Sequence, residues 1–211
     1  WSRGCKVSLN GRAVAKDARA GEFTTLIRRW KDGDVLEIRL APEIKVLESA
    51  DSAGAYVTRG ALLYTLPITE TWTEDTRVHP GLNGKHSANP DFKSWNITPS
   101  GNFNYAICSN DAELISFDLE GGSAVSSITG DDVISSPTSH NAEALVSGSY
   151  PFDNPPFGII VPVKRIKWDL EEGRYTPNIP VSPEIIDDTI RTVTLIPYGC
   201  TELRLTVFPT L

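Results

Sequence analysis

KDGDVLEIRLAP, residues 31–42, decides the fold class. Lys31-Asp32-Gly33-Asp34 is a tight-turn sequence. After it Leu36, Ile38 and Leu40 alternate with Glu37 and Arg39, so apolar groups point one way and charges the other. That period of two belongs to a half-buried strand. Pro42, which cannot donate to a ladder, ends it.

The same grammar continues outward. KVSLNGRAV carries two short runs across Asn10-Gly11, a strong hairpin signal because both turn positions need φ > 0. Phe23–Arg28 reads as a further strand, as do EIKVL and AYVTRGALLYTL beyond Pro42. From Trp95 onward come NFNYAI, ELISFDL, GIIVPVKRIKW, TVTLIP and ELRLTVF. The Ser/Gly/Pro-rich stretch from Gly121 to Pro156 holds one candidate strand, EALVSGSY. Helical periodicity is nearly absent; Pro183–Ile190 offers at most one short turn. Fifteen prolines and sixteen glycines suit many short strands and their turns. The expected class is all-β, as packed antiparallel sandwiches.

Composition narrows the partners. A net charge of −7 argues against a nucleic-acid partner, since phosphate binding needs a basic face, and disfavours an anionic membrane surface. No apolar run reaches the roughly 18 residues that a membrane-spanning helix requires. The chain has no Met and opens on polar WSRGCKVSLNGR, so Trp1 is read as the product of processing or excision from a longer chain.

Motifs for chemistry are sparse. Cys5, Cys108 and Cys200 are far apart, their odd number excludes complete internal pairing, and they read as small buried hydrophobes. His79, His86 and His140 show no ligand spacing, so no metal is expected on this chain. The acid pairs Glu74-Asp75, Asp131-Asp132, Glu171-Glu172 and Asp187-Asp188 raise the thought of a glycosidase, but neighbouring carboxylates on a strand point to opposite faces. Asn96-Ile97-Thr98 matches a glycosylation sequon. Among the tryptophans, Trp30 and Trp95 hold positions typical of rings that close a core. Trp72, Trp95 and Trp168 are the candidates for stacking on a sugar, because a flat apolar ring suits a sugar face.

Arg59-Gly60, between the apolar runs AYVT and ALLYTL, is the remaining oddity. Gly within a strand pattern marks a bulge or a bend.

Four motifs in order resemble the C-terminal region of the β-L-arabinofuranosidase-like glycoside hydrolases, family 127 and its relatives. "R-x-W-x-x-G-D" is matched by Arg28-Arg29-Trp30-Lys31-Asp32-Gly33-Asp34, and "R-G-P-L-V-Y" by Arg59–Tyr64 with Ala61 where Pro is usual. "W-N-Y" is echoed by Phe103-Asn104-Tyr105, and "P-Y-G-x-T-x-L-R" is met by Pro197–Arg204. Trp1 looks like the last residue of "R-I-P-x-W".

The resemblance implies two β-sandwich units, residues 1–58 completing the first and residues 59–211 forming the second. Arg59 and Gly60 would stand at their junction, Gly60 allowing the bend and Arg59 pairing with an acid or capping carbonyls. It implies an upstream (α/α)6 catalytic barrel as partner, a zinc site within that barrel, and a secreted or periplasmic location. None of the barrel's catalytic motifs is in this chain. The implied role is therefore a non-catalytic brace, with a carbohydrate-binding module as the alternative and an oligo- or polysaccharide as its ligand. If Trp1 closes a strand of the first sandwich, the face of Leu36, Ile38 and Leu40 should be less covered than the second unit's core.

Overall fold

The computed structural model describes residues 2–15, 21–50, 54–75, 94–108, 115–118, 157–173 and 175–211. They form thirteen strands, β1 (Ser2–Leu9), β2 (Arg12–Ala15), β3 (Leu36–Pro42), β4 (Ile44–Glu48), β5 (Ala55–Arg59), β6 (Leu62–Pro67), β7 (Glu70–Glu74), β8 (Trp95–Pro99), β9 (Tyr105–Ile107), β10 (Ile115–Asp118), β11 (Phe157–Ile166), β12 (Ile185–Pro197) and β13 (Arg204–Leu205). A 3-10 turn, Tyr198–Cys200, joins the last two. Every strand pairing is antiparallel, and the class is all-β, consistent with a β-sandwich.

Three sheets result. The first has the order β2-β1-β3, with Asn10 (φ 50°) and Gly11 (φ 75°) making the turn the sequence anticipated. The largest follows β10-β11-β12-β6-β5-β4, with β9 on β11 and β13 on β6; the third is the ribbon β7-β8. Strand β6 pairs β12 at Tyr64 and Thr65 and then β13 at Leu66 and Pro67, so its two halves serve different neighbours.

The core lies within the large sheet and the tail that crosses it. Val57, Tyr64, Leu66, Ile107, Ile159, Val161, Val163, Leu195 and Phe208 are all fully buried. The C-terminal segment is stitched back by Ala55 and Phe208, which exchange two N–H···O bonds of 2.8 Å. Gly54 makes this approach possible: a Cβ there would lie 2.3 Å from the Phe208 carbonyl oxygen.

The first sheet is one-sided. Val7 and Leu9 on β1 are buried, but Leu36, Ile38 and Leu40 on β3 are 41%, 59% and 49% exposed. On its polar face Glu37 accepts bonds from Arg39 Nε (2.7 Å) and Ser8 Oγ (3.2 Å).

Two local expectations change. Phe23–Arg28 forms no strand, and Phe23 and Ile27 are almost wholly exposed. Residues 185–190 are the start of β12 rather than a helical turn, because Ile185 and Asp187 pair with Ile166 and Arg165 across the sheet. The division placed between residues 58 and 59 falls inside the β5–β6 hairpin, and β4 and β5 share a sheet with β6. Gly60 (φ 62°) therefore reverses the chain within one sheet, its N–H donating to the Glu43 carbonyl (2.9 Å).

Candidate functional site

The motif residues gather into architectural clips. In 28–34 the carboxylate of Asp34 is the hub. It accepts from Asn10 Nδ2 (2.8 Å), from the Lys31 N–H (2.8 Å) and from Arg28 Nη2 (3.0 Å). Arg28 also lies over the Trp30 ring, 5.2 Å from its centroid, in cation–π contact. Gly33 (φ 83°) supplies the left-handed turn residue. Asn10 completes the clip, accepting from the Val35 N–H through its side chain and donating to the Val35 carbonyl from its backbone. Hydrogen bonds from Asn10 first, then Lys31, with the charge of Arg28, hold the Asp34 carboxyl below its ordinary range. A carboxylate so engaged is a fastener, not a poised acid. Trp30, expected to close a core, is 49% exposed.

The closing motif works in the same way. Arg204 lies over the Tyr198 ring (3.9 Å) and donates to the Tyr198 carbonyl at 2.6 Å and the Thr201 carbonyl at 2.8 Å. Both bonds fasten the 3-10 turn. Thr201 Oγ1 donates to the Leu203 carbonyl, and Cys200 is buried beneath, where burial pushes its thiol pKa up. In the third motif Asn104 donates to the Ile166 carbonyl (2.8 Å), which anchors β9 beside β11.

The tryptophans part company. Trp168 is 4% exposed and meets Phe103 edge-on at 5.6 Å, so its ring serves the core and no sugar can stack on it. Trp72 and Trp95 are half-buried on the ribbon, 6.0 Å apart and inclined at 68°. Trp72 Nε1 donates to Glu70 Oε1 (2.7 Å), and Glu70 Oε2 accepts from the Leu203 N–H (3.0 Å). This face of the ribbon is thus tied to the body of the molecule, and the inclined pair forms no flat platform.

The acid pairs within the described residues are also partnered or open to solvent. Asp187 pairs with Arg191 (2.9 Å) and Asp188 with Lys164 (2.8 Å), two different cations for two adjacent carboxylates. The Thr189 backbone N–H, then its side chain, then Arg191 hold Asp187 down to about 2. Glu171 and Glu172 are exposed in the turn that Glu171 closes with Tyr175. His79, His86, His140, Asp131, Asp132 and the candidate strand EALVSGSY lie outside the described residues. Among the described residues, no three His, Cys, Asp or Glu side chains gather where a metal could bind. No helix among them is long and apolar enough to cross a membrane.

Sequence reasoning named Arg28, Trp30, Gly33, Asp34, Tyr198 and Arg204 only as members of motifs. It missed Asn10 as a fastener and Gly54 as a contact point. The signal for Asn10 was present, since an Asn at a positive-φ turn position has a side chain free to bond elsewhere. Gly54 carried no local signal.

No protein-family model matches this chain, and no curated protein does. Among solved structures, a chain described as a glycoside hydrolase matches all of it at 19% identity and a TM-score of 0.50. A family 127 β-arabinofuranosidase matches 99% of it at 16% identity and a TM-score of 0.47. The match takes up 26% of the first structure's chain and 23% of the second's, so this chain spans about a quarter of their length. The likeness is one of fold, and it extends over the whole of this chain.

Proposed function

We propose that the chain is a non-catalytic β-sandwich region of a glycoside hydrolase related to the β-L-arabinofuranosidases, and that it braces the hydrolase's catalytic barrel. The observation carrying this reading is the fold likeness over all of this chain and only 26% of a glycoside hydrolase chain. The motif residues Arg28, Asp34, Asn104 and Arg204 fit the reading, because their side chains hold turns and strands together. The partner is then the (α/α)6 barrel, with zinc and the reacting groups on that side. On this reading the barrel does the chemistry and this chain supplies a rigid support.

Two assays test it. The 211-residue chain should release no aryl leaving group from arabinofuranosides above the blank, and turnover abolished by mutating an acid in this chain would overturn the reading. In a polypeptide carrying both barrel and sandwich, deleting this region should lower the barrel's melting temperature; an unchanged melt would remove the bracing role. Oligosaccharide binding lost on Trp95→Ala would favour the carbohydrate-binding alternative instead.

A further inference from the structure

Strand β3 is its own antiparallel complement. Its inner edge is taken by β1, with Val7 opposite Ile38 and Ser8 opposite Glu37. Among the described residues nothing pairs its outer edge. An open edge offers a row of N–H and C=O groups to any strand whose side chains match. Directly opposite residues of an antiparallel pair lie on the same face and interact there. Laid against itself about Ile38, Leu36-Glu37-Ile38-Arg39-Leu40 sets Glu37 opposite Arg39 and Arg39 opposite Glu37. On the other face Leu36 meets Leu40, and Ile38 meets Ile38. Centring one residue either way sets Glu37 against Glu37 or Arg39 against Arg39, and half-residue shifts set charge against Leu or Ile. One register alone satisfies both faces.

The groups involved are open to a partner. Leu36, Ile38 and Leu40 are 41%, 59% and 49% exposed, and the side chains of Glu37 and Arg39 are 45% and 73% exposed. Arg39 bonds Glu37 through Nε, which leaves its terminal nitrogens to reach a second carboxylate.

We propose that a second copy of this chain docks here, β3 against β3 across a twofold axis. The three-stranded sheets of the two copies then become one sheet with a continuous apolar face. Such an interface is isologous and closes at two copies.

Sedimentation velocity on the 211-residue chain should show a species of twice 23.1 kDa that dissociates on dilution. Arg39→Glu sets Glu against Glu at two symmetric positions and should weaken the dimer about tenfold or more. Exchanging the charges, with Glu37→Arg and Arg39→Glu together, should restore it. A Cys5→Ser chain carrying Ile38→Cys should oxidise to a covalent dimer, whereas Val181→Cys, at a site 78% exposed, should not. Far-UV circular dichroism verifies that each variant is folded. A wild-type monomer at every concentration up to roughly 100 µM would overturn the proposal. So would an Arg39→Glu dimer of undiminished strength, a charge exchange that fails to recover it, or cross-linking equal at the two cysteine sites.

Discussion

Ile38 and Val161 are both β-branched residues in the middle of strands, yet one is 59% exposed and the other wholly buried. The difference lies in what surrounds the strand. Strand β11 has β12 along one edge and β9 and β10 in tandem along the other, and its inward residues pack in the core with Tyr64, Leu66 and Phe208. Strand β3 has β1 on one edge, and on its apolar side Leu36, Ile38 and Leu40 remain open. Alternation tells which face of a strand is apolar. It does not tell whether anything covers that face.

The comparison breaks most readily in the core. Phe208→Ala should cost about 3–5 kcal/mol by urea denaturation, since a fully buried ring leaves a cavity that the structure cannot refill. Ile38→Ala should cost less than about 1 kcal/mol, because more than half of its surface already faces water. Similar costs for the two would remove the distinction between the regions.

Gly54→Ala comes next. Its Cβ would overlap the Phe208 carbonyl, and backbone rather than the end of a flexible side chain would have to yield. A loss of about 1–3 kcal/mol is expected, read from the same denaturation curves. A neutral result would mean that the Ala55–Phe208 stitch shifts freely.

Those two predictions bracket what the sequence could convey. Where local chemistry decides a structure, it was legible: the Asn10-Gly11 turn, the alternation of β3, and the apolar run of β11. Where distant partners decide, it was not. Gly54 matters because of a residue more than 150 positions away, and no local pattern carries that. Pro183–Ile190 opens on a proline followed by an acid and resembles a helix start, yet pairing of Ile185 and Asp187 with β11 makes residues 185–190 strand. Phe23–Arg28 has strand-like composition but finds no neighbouring strand, and backbone without a partner forms no ladder. At the candidate site the motifs were visible, but their purpose was not. Arg28, Asp34 and Arg204 are charged residues of the kind that carry catalysis, and only their bonds show them holding turns.

Smaller effects sharpen the first sheet. Asn10→Ala removes the bonds to Asp34 and Val35 and places Ala at φ 50°, so about 1–2 kcal/mol should be lost. The loss should appear in the β1–β3 sheet by NMR shifts, leaving the β11 signals unmoved. Shifts spread equally through both regions would show the two to be coupled.

Acid should act more weakly still. The carboxyls of Asp34 and Asp187 are both depressed from an ordinary value of 3.8, Asp187 to about 2. A depressed carboxyl adds stability that is present above its unfolded pKa and is lost as pH falls through the folded one. Stability should therefore decline below about pH 4, with Asp187 still charged near pH 3. Side-chain carboxyl NMR titration checks this; an Asp187 midpoint at the ordinary value would mean that its bonds to Thr189 and Arg191 do not persist in solution.

Native-state hydrogen exchange of the Arg39→Glu variant, at a dilution where sedimentation shows it monomeric, measures the two regions side by side. The amides of Val161, Val193 and Leu195 should open only with global unfolding, and those of Ile38 and Leu40 at clearly lower free energy. Equal protection in both sets would contradict the division of the molecule into a dry core and a sheet whose strand β3 lies open.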